Sequence, residues 1–313
     1  MKKNEKRVRA LVLMSGGLDS MLAAKIMLEM GIEPALVCFE SYFFSCEAAA
    51  RAAGELDMPL RSVDISKEQL DVVKHPRYGH GGAVNPCIDC HLLMLKTAKR
   101  IMDEEGFDFV ATGEVLGERP MSQNKLSLDI VERESGLAGK LLRPLSAKLL
   151  PATLAETQGL ADRDKLYDIS GRSRKVQMEL AKIFNIKNIP QPAGGCLLTE
   201  TEFGEKLKKL MLAAPDFDGS DAQVLRHSRS LWEGKLLLAV ARDQKDCAAL
   251  KDLVKPGDMI FEPQNFPGPV VLARDFGAVL DGKTIEELGK KYLLQYSKKI
   301  PAVSEISTTK IVI

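Results

Sequence analysis

The sequence predicts an α/β protein: a doubly wound, mostly parallel sheet followed by a second, smaller α+β domain. Three observations support this fold class. Apolar runs of strand length alternate with helical patterns through the first part of the chain, and a glycine- and proline-rich stretch at 75–90 interrupts them. The composition then shifts at 213–219, which indicates a linker. We therefore expect a first domain at 1–212 and a second domain at 213–313.

The elements of the first domain follow in order. Runs at 8–14 and 34–39 are apolar and have the length of strands, 60–65 and 107–112 are the next expected strands, and 141–144 is a short strand or the end of one. Helical patterns lie between them: one ends at Gly31, and others cover 47–56, 91–105, 122–134 and 172–184. Parallel strands separated by helices form open sheets, which bind ligands at the carboxyl ends of their strands.

The second domain shows a different order of elements. A helical pattern covers 220–232, strand-like runs lie at 235–241, 258–261 and 269–273, and a last helix covers 283–296. Strands that follow one another with few helices between them are typical of a small α+β unit.

Composition points to an ordinary folded protein. Hydrophobic residues make up 45% of the 313 residues and charged residues 28%, which excludes a disordered, collagen-like or coiled-coil chain. The 44 basic and 43 acidic side chains leave a net charge of +1, so binding to nucleic acid must use local patches. No apolar run reaches the roughly 18 residues of a membrane span, and no signal peptide is recognisable. The expected location is cytoplasmic, without membrane association.

A glycine loop follows the first predicted strand. Ser15-Gly16-Gly17-Leu18-Asp19-Ser20 stands where a phosphate loop is expected, because glycines let backbone N–H groups approach an anion and a helix N-terminus adds positive potential. The loop lacks the Gly-Lys-Ser/Thr of a Walker A motif and the GxGxxG spacing of a dinucleotide site. A plain turn between strand and helix remains the alternative.

Cys87-Ile88-Asp89-Cys90 places two thiols within reach of one metal or of each other. This pattern suits a redox disulfide or persulfide pair, half of a zinc site, covalent haem through Cys90-His91, or an iron–sulfur cluster. Zinc would need two more ligands, for example Cys196 and one of the histidines. The candidate histidines are His75, His80 and His91. A disulfide framework is not expected in a reducing compartment, so Cys38, Cys46 and Cys247 are interpreted as packing residues.

Several separated motifs resemble one enzyme family. The SGGLDS hexapeptide resembles the pyrophosphate loop of the PP-loop ATPases, whose fold is similar to the adenine nucleotide alpha hydrolases. Thr112-Gly113-Glu114-Val115-Leu116-Gly117 with Ser122-Gln123 resembles the TGExLG…SQ segment of tRNA 4-thiouridine synthases. Leu142-Arg143-Pro144-Leu145 and the Gly-Gly-Cys at Cys196 resemble the same tRNA-thiolating branch. The resemblance covers about 8–200.

The resemblance implies an ATP and Mg²⁺ site at one end of the sheet. Its residues would be Ser15, Gly16, Gly17, Asp19, Ser20, Thr112 and Gly113, with Cys38 and Phe39 near the adenine. Some members of the branch hold a [4Fe–4S] cluster with a CxxC and one distant cysteine, and others pass a persulfide between two cysteines. Cys87, Cys90 and Cys196 match the three-cysteine pattern, which favours the cluster here.

The implied reaction is thiolation of a tRNA uridine, in which ATP converts a carbonyl oxygen into an adenylate and sulfur then displaces AMP. Asp89 is a candidate base, or a solvated loop carboxylate. Local basic residues are candidates for phosphate contacts: Arg119, Lys125, Arg172, Arg174 and Lys175. The expected partners are tRNA and a sulfur donor, either sulfide or a persulfide-carrying protein, and a homodimer is left open.

The C-terminal region, around 237–272, resembles the RNA-binding R domain of the NFACT proteins. Lys255-Pro256-Gly257-Asp258 and Pro267-Gly268-Pro269 keep most of two motifs of that domain, whereas Glu262 and Pro269 stand where it has histidines. The alternative is a stabilising appendage that does not bind RNA.

Two other functions remain open from sequence alone. A PP-loop ligase or sulfur transferase that acts on a small molecule would form AMP without RNA. A nucleotide- or RNA-binding protein without catalysis would form no AMP, although the intact SGGLDS loop argues against it.

Overall fold

The computed structural model describes residues 7–189 and 195–311. The chain divides into two compact units, Met1–Leu197 and Leu198–Ile313. The division falls before the predicted boundary at 212/213. The predicted boundary leaves helix α8 (Thr201–Ala213) almost entirely in the first domain. In the structure, α8 packs against α9 (Gly219–Arg226) and belongs to the second unit.

The first unit is built on a parallel sheet of five strands in the order β3-β2-β1-β4-β5. The strands are β1 (Arg9–Leu13), β2 (Glu33–Glu40), β3 (Leu60–Asp64), β4 (Phe109–Ala111) and β5 (Leu141–Leu142). The helices are α1 (Leu18–Glu29), α2 (Glu47–Glu55), α3 (Ser66–Lys74), α4 (Cys87–Glu105), α5 (Lys125–Ser135), α6 (Leu154–Thr157) and α7 (Lys175–Ile183). Short 3₁₀ turns lie at Ala147–Leu149, Arg163–Lys165 and Leu197–Thr199.

Both faces of this sheet are covered, as expected for a doubly wound fold. Successive side chains of a strand point to opposite faces. Ala10 and Val12 of β1 accordingly join the core that contains α1 and α2, whereas Leu11 joins the core that contains α4. The strand order reverses direction between β1 and β4, which are neighbours in the centre of the sheet. The crevice at their carboxyl ends is where such sheets bind ligands.

The second unit is an antiparallel sheet of five strands in the order β10-β8-β9-β7-β6, with helix α11 packed on it. The strands are β6 (Arg229–Glu233), β7 (Leu236–Val240), β8 (Met259–Pro263), β9 (Val271–Asp275) and β10 (Ile306–Lys310). The other helices are α10 (Gln244–Asp252) and α11 (Gly282–Gln295). The predicted α+β class is confirmed, but the prediction of one helix over 220–232 was wrong, because the chain leaves α9 at Arg226 and forms β6.

A buried ion network stabilises the second unit. Arg274, with only 3% of its surface exposed, donates to both oxygens of Asp258 and to Asp221. Lys255 also pairs with Asp221. The Lys-Pro-Gly-Asp motif therefore supplies two members of a structural ion network. No helix in the described ranges is both long and apolar enough to cross a membrane.

Candidate functional site

The glycine loop lies between β1 and α1, at the reversal point of the sheet. Gly16 has a φ of +83°, and a side chain there would collide with the backbone of Ala48 in α2. The N-cap of α1 is Gly17, with no side-chain hydrogen bond that caps the first turn. The Ser20 hydroxyl donates to the carbonyl of Gly17 at 2.7 Å, which folds the loop back on the helix. The arrangement leaves the first-turn N–H groups of α1 for an anion.

The predicted partner segment after β4 lies directly against this loop. A Cβ on Gly113 would stand 2.5 Å from the carbonyl carbon of Asp19 and from the nitrogen of Ser20. Only glycine allows the two backbones to approach this closely. The structure thus brings Gly113 together with the Ser15–Ser20 loop, although the two segments are almost one hundred residues apart.

Asp19 is an unusual carboxylate in the loop. Burial raises its pKa, although the charge of Arg174, a hydrogen bond with the side chain of Gln177 and the charge of Arg119 oppose the increase. Its Oδ1 is buried and accepts no hydrogen bond from the described residues. An unpaired carboxylate oxygen beside a phosphate loop suits the Mg²⁺ role that the family resemblance implies, because Mg²⁺ prefers oxygen ligands.

The two thiols of the CxxC motif lie in the first turn of α4. This helix starts at Cys87, so the prediction of a loop through Cys90 was wrong by one turn. Side-chain amides approach both sulfurs: Gln69 Nε2 donates to Cys90 Sγ at 2.7 Å, and Asn85 Nδ2 donates to Cys87 Sγ at 3.1 Å. An N–H donor stabilises a sulfur that carries negative charge, as a metal-bound thiolate does.

Cys196 is near enough to Cys90 to act on it electrostatically, and the three-cysteine site stays a prediction. Burial raises the pKa of the Cys90 thiol far above its usual range, the Gln69 amide opposes this, and Cys196 and Cys87 add to the increase. Cys196 is half-buried. The backbone next to it is held by a hydrogen bond, because Leu197 N donates to the Phe43 carbonyl at 3.0 Å. The rest of the predicted 191–196 loop, residues 191–194, lies outside the described residues.

A [4Fe–4S] cluster or zinc would need these thiols as ligands. Thiols are the ligands that iron–sulfur clusters take, and two of the three, Cys87 and Cys90, receive N–H···S bonds. Within residues 7–189 and 195–311, however, no three His, Cys, Asp or Glu side chains are grouped so that they could hold a metal ion. The thiols are therefore ligands of a suitable kind, but the described residues are not arranged as a metal site.

Asp89 holds the loop that precedes the cysteine helix. Its carboxylate, 8% exposed, accepts hydrogen bonds from the backbone N–H groups of Arg77 at 3.2 Å and Tyr78 at 3.0 Å. These contacts close the 75–86 loop onto the start of α4 and favour a structural role. The role of Asp89 as a base stays a prediction.

A buried ion pair connects the segment after β4, which contacts the glycine loop, to the cysteine helix. Glu114 Oε2 accepts from Arg143 Nε at 2.9 Å and from the Thr112 hydroxyl at 3.1 Å. Glu114 Oε1 is 2.9 Å from Nδ1 of His91, the residue after Cys90. Burial alone would raise the pKa of Glu114, but the charge of Arg143 and the hydrogen bond from His91 lower it to about 2. Glu114 is therefore an anion that joins both halves of the site.

The contacts that Glu114, Arg143, Gln69 and Asn85 make at the site were not predicted from the sequence. The TGE and LRPL motifs contain the first two residues, but nothing in the sequence pairs positions that are 29 residues apart. The histidines proposed for zinc have other contacts: Nδ1 of His91 faces Glu114, and Nε2 of His80 lies 2.9 Å from the Val73 carbonyl.

The predicted adenine neighbours lie in the interior. Phe39 is 5% exposed and packs in the core beneath α4. Cys38 and Cys46 pack in the core as expected, but they form a disulfide with a Cα–Cα distance of 5.9 Å, so the expectation that they are not disulfide-bonded was wrong. The bond joins the end of β2 to the N-cap of α2, the helix on which Gly16 rests. Adenine contact by Phe39 stays a prediction.

Comparison with known proteins supports the family resemblance. Residues 6–148 match the family described as "Thiamine biosynthesis protein (ThiI)". The tRNA-specific 2-thiouridylase MnmA of Karelsulcia muelleri is 25% identical over 221 residues, which cover 66% of this chain and 55% of that protein. MnmA of Chloroflexus aurantiacus is 30% identical over 195 residues, covering 51% and 54%. The chain thus spans about half the length of these curated relatives.

Among solved structures, the U34-tRNA thiolase NcsA from Methanococcus maripaludis, described with its [4Fe-4S] cluster, is 17% identical. The match covers 72% of this chain and 75% of that protein, with a TM-score of 0.36. The sequence matches confirm that the N-terminal part of the chain resembles PP-loop enzymes of tRNA thiolation. The resemblance of the C-terminal region to NFACT proteins stays a prediction.

Proposed function

We propose that this protein thiolates a uridine of tRNA in an ATP-dependent, AMP-forming reaction. One observation carries the proposal: the three-residue segment Thr112–Glu114 contacts a phosphate loop through Gly113 and the cysteine helix through Glu114 and His91. An activating nucleotide and a sulfur carrier would thus be held at one end of one sheet. The relatives named as tRNA thiouridylases support tRNA as the substrate.

The first step activates the base. The uridine carbonyl oxygen attacks the α-phosphorus of ATP, a P–O bond forms, and the α–β phosphoanhydride bond breaks. Its electron pair leaves on pyrophosphate, and the N3 proton of the base goes to solvent. The backbone N–H groups at the start of α1 face the phosphates and neutralise charge that develops on the leaving group. Asp19 is the candidate residue that positions Mg²⁺.

The second step exchanges oxygen for sulfur. Hydrosulfide attacks the activated carbon, a C–S bond forms, the C–O bond breaks, and AMP leaves with the electron pair. The hydrosulfide proton ends on N3 of the base, so no oxidant or reductant is consumed. Cys87, Cys90 and Cys196 are the residues that would hold a [4Fe–4S] cluster, and the chemistry that the cluster would supply is sulfur in anionic form. Gln69 and Asn85 stabilise two of the ligand sulfurs through N–H donation.

The test is a thiolation assay with the anaerobically reconstituted protein, ATP, sulfide and a full tRNA pool. Mass spectrometry of the digested nucleosides should show a thiouridine whose formation requires ATP, and Cys87→Ser and Cys196→Ser should abolish it. Cys247→Ser is the matched control, because Cys247 lies in the second unit, where it accepts from Val270 N. AMP formation that does not depend on RNA would instead indicate a small-molecule substrate.

The cysteine part of the proposal has a separate test. Iron content and a broad visible absorption band should be present in the wild type and lost in the Cys87→Ser and Cys196→Ser proteins. Protein that contains zinc and no iron would indicate a zinc site, and active protein without either metal would indicate a persulfide pair. Either result would contradict the cluster but leave tRNA as the proposed substrate.

A further inference from the structure

One ring nitrogen of His91 is open to a ligand at the carboxyl edge of the parallel sheet. Helix α4 precedes β4 with a short connection between them, so the start of the helix lies at the edge where Thr112–Glu114 leaves the strand. His91 stands near that start, one residue beyond Cys90. Its side chain is 29% exposed, and within the described part of the chain its Nε2 forms no hydrogen bond.

Glu114 fixes which nitrogen of His91 carries a proton. Glu114 Oε1 lies 2.9 Å from Nδ1 of His91, and Oε2 accepts from Arg143 and from the Thr112 hydroxyl. A carboxylate in a buried ion pair only accepts hydrogen bonds, so the proton lies on Nδ1. Nε2 of the neutral ring then has a lone pair. His91 therefore presents a hydrogen-bond acceptor whose direction is set by Glu114.

This acceptor stands between the two halves of the proposed site. On one side, Gly113 precedes Glu114 and approaches the backbone of Asp19 and Ser20 in the glycine loop. On the other side, Cys90 is the chain neighbour of His91. A base that is activated at the glycine loop and receives sulfur at the cysteines must lie between these segments. Nε2 of His91 is the open polar atom there.

We propose that His91 selects uracil, because its Nε2 accepts a hydrogen bond from N3–H of the base that is to be thiolated. This inference rests on the proposed thiolation of tRNA. N3 of uracil lies between the two carbonyl groups, so the contact suits thiolation of either one. N3 of cytosine has no hydrogen, and its lone pair would face the lone pair of Nε2. A site that accepts a hydrogen bond rejects a ligand without the matching donor.

His227 provides a matched control, because it is also held by a buried carboxylate. Its Nδ1 lies 2.9 Å from Oδ1 of Asp246, which is 4% exposed. His227 belongs to the second unit, whereas His91 belongs to the first. His227→Gln therefore removes a carboxylate-bound imidazole and leaves Glu114 and its partners unchanged. The chain has only four histidines, so the ring nitrogens of each can be assigned in a nitrogen-15 spectrum.

NMR with three nucleotides tests the proposal without ATP, sulfide or a loaded cluster. The probes are uridine monophosphate (UMP), its N3-methyl derivative and cytidine monophosphate (CMP). In the wild type, UMP should shift the Nε2 resonance of His91, and the two probes without N3–H should bind with a roughly tenfold higher Kd. His91→Ala should bind all three with equal affinity, whereas His227→Gln should behave as wild type.

The wild-type comparison alone can overturn the role of His91, whether or not a variant folds. Equal affinity for UMP and N3-methyl-UMP, tighter binding of CMP, or a His91 resonance that responds to Zn²⁺ and not to UMP would each do so. If His91 responds to UMP as expected while no thiouridine forms in the tRNA assay, the uracil site stands and the proposed function fails. Thiouridine formation by protein that does not distinguish UMP from N3-methyl-UMP would support the function and overturn the role of His91.

Discussion

Oε1 of Glu114 lies 2.9 Å from Nδ1 of His91, so the carboxylate that follows β4 holds the residue next to Cys90. The carboxylate accepts only, which means that Nδ1 carries the proton of this hydrogen bond. Arg143 holds the other oxygen of Glu114 with a side chain that is 3% exposed. The contact couples the segment that follows β4 to the cysteine helix.

Removal of the charge at Glu114 should be strongly destabilising. In Glu114→Gln, the buried Arg143 loses one of its two carboxylate partners, and breaking a buried pair costs about 3 kcal/mol of unfolding free energy. Urea denaturation followed by circular dichroism measures the loss. Glu132→Gln is the matched control, because Glu132 contacts the same guanidinium from a position that is 27% exposed, and its effect should be smaller. Equal losses of unfolding free energy in the two variants would contradict a larger stabilising role of the buried Glu114.

The same carboxylate predicts how stability depends on pH. Its pKa is lowered from about 4.5 to about 2 in the folded protein, so the ionised form favours folding. The contribution is fully present above pH 4.5 and is lost as the pH falls from there towards 2. The difference in unfolding free energy between wild type and Glu114→Gln should therefore shrink over that range. A difference that stays constant between neutral pH and pH 3 would refute this assignment.

Gly113→Ala should damage the nucleotide site. The new methyl group would press on the backbone of Asp19 and Ser20 and move the phosphate loop. We expect at least a tenfold weaker affinity for ATP, measured by calorimetry. The control is Gly54→Ala in α2, where a Cβ meets nothing within 4 Å. That change should leave ATP binding intact and stabilise the helix by roughly 0.5–1 kcal/mol. Unaltered ATP affinity in Gly113→Ala would show that the close approach is not needed.

The Cys38–Cys46 disulfide predicts a defined alkylation pattern. Without reductant, unfolded protein should take up label on four of its six cysteines: Cys87, Cys90, Cys196 and Cys247. After reduction all six should react. Intact-mass measurement with iodoacetamide distinguishes the two states, and Cys46→Ser serves as control, because it releases Cys38 for labelling without reductant. Six labels on protein that was never reduced would show that the bond is absent.

Much of the fold could be predicted from the sequence because the central parallel strands β1, β2 and β4 are largely buried and show as short apolar runs. The run at 34–39, for example, became β2 (Glu33–Glu40), and 60–65 became β3 (Leu60–Asp64). The half-exposed elements were harder to predict from the sequence. β6 (Arg229–Glu233) continues a helical pattern in sequence, and it becomes a strand because it pairs with β7. Polar β10 (Ile306–Lys310) pairs only with β8, which no local signal indicates.

In the candidate site, too, some features could be predicted from the sequence and others could not. The glycines of the phosphate loop could be predicted, because local backbone conformation demands them, as at Gly16 with its φ of +83°. The Gln69–Cys90 contact could not, since helix α3 was not predicted and a side-chain amide carries no pattern. The Glu114–Arg143 pair depends on the fold, which brings the ends of β4 and β5 together.

The most direct measurement of the central claim is the stoichiometry of one reaction. Anaerobic protein with ATP, sulfide and tRNA should form AMP and thiouridine in a one-to-one ratio, with AMP released only when tRNA is present. Ser20→Ala and Cys90→Ser should lower both products together. AMP release at the same rate without tRNA, or thiouridine formation without ATP consumption, would contradict the account.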